Sequence, residues 1–217
     1  AFFLAFEELS DNGWERNTND VQKLSQGAND AQSSFVRTVW STCYSGISRC
    51  NYLINKTNNT KGIEADFIAQ AQAQAKFLRA YYYSYLIDLY GDVPLILETL
   101  SLNNAQVFRS PKEEVLNQIF KDFDEAAAIL TTRNRPTSGR PSRQAALALK
   151  ARIALYNGKW EVAIAAAAEV MKLEGTEVIL EPDFPKLFAY EGQDSKEILF
   201  SIQYLVGYQV HPIFRLF

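Results

Sequence analysis

Hydrophobic side chains make up 47% of the 217 residues and charged ones 22%, a balance that supports a sizeable core and excludes disordered or coiled-coil classes. Twenty-two basic residues against 25 acidic ones leave a net charge of −3, which argues against a nucleic-acid face, since displacing phosphate counterions needs clustered positive charge. One histidine, two cysteines and one methionine supply no raw material for an imidazole triad or a multi-histidine centre, so no catalytic residue, metal site or cofactor is assigned.

Residues 1–30 read as a loop-rich lead-in. The apolar opening Ala1–Phe6 is shorter than a signal peptide and has no basic leader, and Leu9–Asp30 is dense in Asn, Asp, Ser, Gly and Thr. From Ala31 the pattern changes. Phe35, Val39, Cys43, Ile47, Cys50, Leu53 and Ile54 recur at steps of three and four, one face of a helix about 25 residues long. Cys43 and Cys50 on such a helix stand roughly 10 Å apart, beyond the roughly 7 Å that a disulfide tolerates, and are expected to be buried thiols.

A second helix is expected from Glu64 to Tyr90, its inward stripe read as Phe67, Ala71, Ala75, Leu78, Tyr82, Tyr85, Leu86 and Leu89. Gly91 would cap it and Pro94 would stop it, with Val93–Leu100 extended. Ser110-Pro111-Lys112-Glu113 reads as a capping box with the proline at the first helical position. The helix that follows buries Leu116, Ile119, Phe120, Phe123, Ala127 and Leu130. Ser142 caps the next, which runs to Tyr156, and Asn157-Gly158 turns the chain into an alanine-rich helix from Trp160 to Leu173. The small residue, Tyr-x-Gly turn and Glu-x-Ala-Ile of Ala148–Val170 resemble a tetratricopeptide hairpin, whose faces are buried only by stacking on a neighbour. Residues 31–173 are therefore helical hairpins, two to three degenerate units. Residues 174–217, with the apolar run Ile198–Ile202, are loop or short strand. The fold class is mostly α: tetratricopeptide-like helical hairpins with irregular loops, read as a single domain over 1–217.

Five collinear elements carry a resemblance. They are Ala75–Tyr83, Leu89–Leu95, the Arg109-Ser110-Pro111 helix start with Glu114-Val115, Gly139-Arg140-Pro141 before Ala145–Arg152, and Lys196–Gln203. Together they resemble the SusD/RagB family of outer-membrane lipoproteins over roughly residues 30–205. Gln74 departs from the glutamate usual at that point. The resemblance implies a SusD-like superhelix and a non-catalytic cell-surface protein of a Bacteroidota-type bacterium. Such a protein captures an oligosaccharide or a peptide and passes it to a SusC-like TonB-dependent transporter. It would be held at the membrane only by a lipid anchor that this stretch does not include. Members are more than twice this length, so the chain is expected to be the amino-terminal half, with residues 174–217 beginning the ligand side. The rival reading is an intracellular tetratricopeptide scaffold that binds a protein partner in its groove.

Carbohydrate capture needs flat aromatic faces with amide or carboxylate side chains for hydroxyls, and loops present these more readily than packed helices. Trp14 with Arg16, Asn17, Asn19 and Asp20 has that composition and is the candidate ligand-binding set. The competing reading is a loop tryptophan packed back on the helices. Trp40 and Trp160 are read as core. Arg79 is expected to pair with a buried carboxylate or with carbonyls, and Asp122, Asp124 and Glu125 to be solvated helix surface. The arginines at 133, 135, 140 and 143 read as a solvated loop or as contacts to an acidic partner or ligand.

Overall fold

A computed structural model of the chain describes residues 9–10, 13, 20–28, 30, 32–58, 60–101, 103–133 and 139–204. It contains α1 (Asp20–Ser25), α2 (Ser34–Asn58), α3 (Ala65–Tyr90), α4 (Lys112–Ile129), α5 (Arg143–Tyr156), α6 (Trp160–Met171) and the single turn α7 (Phe184–Leu187), followed by a 3-10 turn at Tyr190–Gly192. Strand pairing among the described residues is limited to isolated bridges, Val93 with Ser110 and Glu174 with Val178, so Ile198–Ile202 is loop rather than strand, half-buried up to Ser201 and exposed at Ile202. The fold is the mostly α, tetratricopeptide-like one the periodicity called for. The lead-in differs, since it contains the short helix α1.

Internal contacts divide the chain into two compact units, Ala1–Thr42 with Tyr204–Phe217, and Cys43–Gln203. In the first, the Asp20 carboxylate closes the start of α2. Its Oδ2 accepts the Ser34 amide at 2.7 Å and the Ser34 hydroxyl at 2.6 Å, from 14 residues upstream.

In the second unit α3 lies along α4, α4 along α5, and α5 along α6. The α5–α6 link is the Asn157-Gly158-Lys159 turn, where Gly158 takes φ +70° that a side-chain-bearing residue resists. Ser142 caps α5 through its hydroxyl, which accepts the Ala145 amide at 3.3 Å. Lys76–Glu125 ties α3 to α4 at 2.6 Å, and Lys150–Asp124 ties α4 to α5 at the same distance. The core holds Phe77, Tyr83, Leu86, Ile87, Leu116, Ile119 and Phe123, all fully buried. Phe77 meets Phe123 and Phe200 edge-on, with centroids 5.8 and 5.1 Å apart. Gly46 of α2 lies against the Tyr82 ring so closely that a Cβ there would stand 2.3 Å from a ring carbon.

The buried polar centre of this unit is Arg79. Its Nε and Nη2 donate to the two oxygens of Asp122 at 2.7 Å each, and its Nη1 donates to Asn51 Oδ1 at 2.8 Å. Asn51 Nδ2 in turn donates to the carbonyls of Ile96 and Glu98, and Gln118 adds a donor to Asp122 Oδ1. Tyr83 accepts the Ile96 amide at 2.7 Å and donates to the Ile96 carbonyl, while Tyr44 donates to the Pro94 carbonyl. The extended segment after α3 therefore satisfies its backbone with side chains instead of a neighbouring strand. Burial strips water from the Arg79 guanidinium and opposes its charge, but the hydrogen bonds and charge of Asp122 outweigh this and raise its pKa.

Four expectations are corrected. Asp122 is buried, not solvated surface, because it is the counter-charge of Arg79. The buried face of α3 is Ala73, Ala75, Phe77, Ala80, Tyr83, Ser84, Leu86 and Ile87 with Arg79, so Ala75 and Leu86 of the expected stripe do point inward, whereas Phe67 and Leu89 are exposed and Leu78 half-buried. The carboxyl-terminal half of α3 is apolar nearly all round, so periodicity alone did not select the face. At α4, Pro111 is the N-cap rather than the first helical residue. The capping box does not form: the Ser110 amide donates to the Val93 carbonyl at 3.0 Å, the Glu113 carboxylate pairs with Lys159, and Asp92 Oδ1 takes the Lys112 amide at 2.8 Å. Trp160 is 60% exposed rather than core, because α6 buries only Ala163 and Ala166 and turns Trp160, Ile164 and Met171 outward.

Truncating one partner of a buried, hydrogen-bonded pair strands the other charge, so Arg79→Met should cost about 3–5 kcal/mol in urea unfolding. Arg79→Met with Asp122→Leu should recover part of that loss, and a double variant less stable than the single one would contradict the assignment. Phe77→Ala should cost about 3–5 kcal/mol as a cavity, clearly more than Leu78→Ala on the half-exposed side of the same helix.

Candidate functional site

Of the five residues with the composition of a sugar-binding loop, Trp14, Arg16, Asn17 and Asn19 lie outside the described residues. The fifth, Asp20, sits at the first position of α1 with one carboxylate oxygen committed to Ser34, as above. Those hydrogen bonds, the hydroxyl first and the amide second, hold its carboxyl below the usual carboxylate range. Asp20 therefore has a structural role, accepting the first amide of α2 from outside the helix while Ser33 stands at its N-cap, whatever else Asp20 touches. A carboxyl with a depressed pKa stabilises the fold above its unfolded value and loses that effect as pH falls through the folded one. Asp20→Ala should lower the melting temperature at neutral pH, and the difference from the parent should shrink on acidification below the usual carboxylate range. An Asp20→Ala gap that persists unchanged in acid would show that this carboxylate is not the cause.

The described residues also form a cleft of about 420 Å³ between α2 and α3, reaching the segment that leads into α5. Leu53, Phe67, Ala71, Ala75 and Leu78 make its apolar wall. The amides of Gln70 and Gln74 and the guanidinium groups of Arg49 and Arg140 supply its polar groups. The sequence-based reading put Phe67 in the helix core, and the misassigned face of α3 is why the cleft was not anticipated. The ring is 65% exposed at the first turn of α3. Gln70 Nε2 donates to the Ile129 carbonyl at 2.8 Å and Gln74 Nε2 to the Gln70 carbonyl at 3.3 Å. Each of these amides thus spends one N–H on a backbone carbonyl. Cys50 contributes a thiol whose pKa burial pushes up to about 11, so it stays neutral.

No three of His, Cys, Asp and Glu gather at metal-binding distance among the described residues. None of the described helices is long and apolar enough to cross a membrane.

Stacked helical hairpins with an aromatic-rimmed cleft and irregular connecting segments define a tetratricopeptide-like binding scaffold. A family profile for SusD-like proteins, described as starch-binding and associating with the outer membrane, matches residues 2–155, and the chain belongs to that family. It is 29% identical over 204 residues to a SusD-like protein of Formosa agariphila, which covers 91% of this chain and 39% of that one. The crystal structure of a SusD-like carbohydrate-binding protein from Bacteroides fragilis superposes with TM-score 0.85 and 31% identity, covering 93% of this chain and 40% of that one. A laminarin-binding SusD-like protein superposes with TM-score 0.71 and 30% identity, over 77% and 37% of the two chains. The chain thus spans about two fifths of the length of the relatives it matches.

Proposed function

We propose that the protein is a cell-surface glycan-binding protein that captures an oligosaccharide outside the outer membrane, performs no covalent chemistry on it, and hands it to a SusC-like TonB-dependent transporter. The observation that carries this reading is membership of the SusD-like family, together with close superposition on a carbohydrate-binding relative at 31% identity. Oligosaccharide is favoured over peptide because the relatives' names specify carbohydrate and laminarin. The helices supply a rigid frame, and affinity comes from aromatic stacking and hydrogen bonds on the segments that it holds, worth about 1–3 kcal/mol for each well-placed contact. Trp14, with Arg16, Asn17 and Asn19, is proposed as one such contact on the lead-in.

Affinity electrophoresis and calorimetry against laminarin, starch and acidic polysaccharides test this on the protein as expressed from its gene. Binding without release of reducing ends supports it, and binding accompanied by such release refutes the non-catalytic part. Trp14→Ala should weaken binding about tenfold with little change in melting temperature, and unchanged affinity would reject Trp14 as a contact. Recovery of a β-barrel TonB-dependent receptor with the protein from outer membranes supports the delivery step, and its absence from such preparations would refute it.

A further inference from the structure

Helix α6 stands at the end of the series of packed helices, yet it carries more apolar surface than that position needs. α4 is held between α3 and α5, and α5 meets both α4 and α6, whereas α6 packs on α5 alone among the described helices. At about 100° per residue the side chains of α6 fall into three strips. Ala163 and Ala166 are buried and, with half-buried Val162, Ala167 and Val170, form the first. Trp160, Ile164, Ala168 and Met171, at steps of four, four and three, form the second. All four are exposed, Ile164 by 69% and Met171 by 67%. The charged residues Glu161 and Glu169, with Lys172 just past the helix end, keep to the third.

Two apolar strips and one narrow charged strip suit a helix inside a stack. The last helix of a tetratricopeptide-type array stays soluble by turning a polar face outward. α6 turns out an indole, a branched aliphatic chain and a thioether instead, types that are enriched where protein surfaces meet. The outer strip is about 16 Å long, the length of one short helix. Ala168, between Ile164 and Met171, is small enough to receive a large side chain from a facing helix, the complementarity by which helices interlock. A sugar fits this surface poorly, because the strip has no amide, hydroxyl or carboxylate to meet its hydroxyl groups. An anionic membrane fits poorly too, since the adjoining charges are two acids to one lysine, the reverse of a membrane-surface helix.

Length points to the source of the partner. The chain covers only 40% of the Bacteroides fragilis carbohydrate-binding protein and 37% of the laminarin-binding one, so relatives that superpose on this frame have much more polypeptide to place. A tethered segment also reaches such a face at a far higher effective concentration than a free molecule. Consecutive elements usually pack side by side, as α3 to α6 do, which favours the next helix in sequence. We propose that the strip of Trp160, Ile164, Ala168 and Met171 is the docking surface for a further amphipathic helix of the same polypeptide, carboxyl-terminal to Phe217. The inference goes beyond the glycan-binding reading and does not depend on it, so either can fail alone.

Three measurements on the protein as expressed from its gene test this. Oxidation of Met171 by hydrogen peroxide, followed by peptide mass spectrometry, should be tenfold or more slower in the folded protein than in urea. Ile164→Asp should lower the melting temperature by about 5 °C or more, and Ile164→Leu by about 1 °C at most. A benzophenone amino acid in place of Ile164 should, on irradiation, cross-link within one molecule to a peptide carboxyl-terminal to Phe217. Met171 oxidised at its unfolded rate, or Ile164→Asp without effect on melting, shows a solvated face and overturns the proposal. A cross-link between two copies, detected by mixing light and heavy-isotope protein, overturns it in favour of a homodimer. A cross-link to residues 1–217 or to another protein, or no cross-link at all, overturns the assigned occupant.

Discussion

A guanidinium group that has lost its water must find acceptors in fixed places, and the helical unit is organised around where Arg79 finds them. Asp122 supplies two oxygens from α4 and Asn51 a third from α2, so one side chain joins three helices. Asn51 then reaches the carbonyls of Ile96 and Glu98, which draws in the segment after α3 as well. A slip of α3 by one residue would carry the charge off this face and leave it stranded, at a cost of several kcal/mol that packing alone does not impose. Apolar contacts such as Phe77 on Phe123 and Phe200 supply most of the favourable area, but they tolerate small displacements. The ion pair does not, and the register of the helices follows from it.

Helix positions were readable along the chain because their punctuation is local. The cap at Ser142, the φ-positive glycines at 91 and 158, and the three-and-four spacing from Phe35 to Ile54 each act within a turn or two of themselves. The errors lie where an element's partner is remote. Asp122 looks like one more acid in Lys121-Asp122-Phe123-Asp124-Glu125 until a cation 43 residues earlier is known to face it. Ser110 looks like the cap of α4 until Pro111 is found at that position and Asp92, 20 residues upstream of Lys112, is found to accept the Lys112 amide. Phe67 and Trp160 read as core because large apolar residues at helical spacing usually are, but Phe67 is exposed at the first turn of α3, and on α6 the small Ala163 and Ala166 take the buried face instead of Trp160.

Site and frame follow different rules in this chain. The long motif from Ala75 to Leu95, which carries the family likeness, is spent on folding: Phe77, Arg79 and Tyr83 are buried, Gly91 ends α3, and Asp92 starts α4. The lining of the α2–α3 cleft falls mostly outside it, at Arg49, Cys50, Leu53, Phe67, Gln70 and Arg140, with only Ala75 and Leu78 drawn from the motif. The scaffold is thus shared with relatives at about 30% identity. The chain spans about two fifths of the length of those relatives.

Cys43 and Cys50 are free, buried against the helix core, and carry thiols that desolvation pushes to about 11. In the folded protein almost none of either sulfur is thiolate near neutral pH, and both side chains are buried, although Cys50 lies at the wall of the α2–α3 cleft. Alkylating reagents would therefore act on these two atoms only when α2 lifts away from the body it covers. The pair is a native clock for local opening, timed by chemical labelling without any engineered probe.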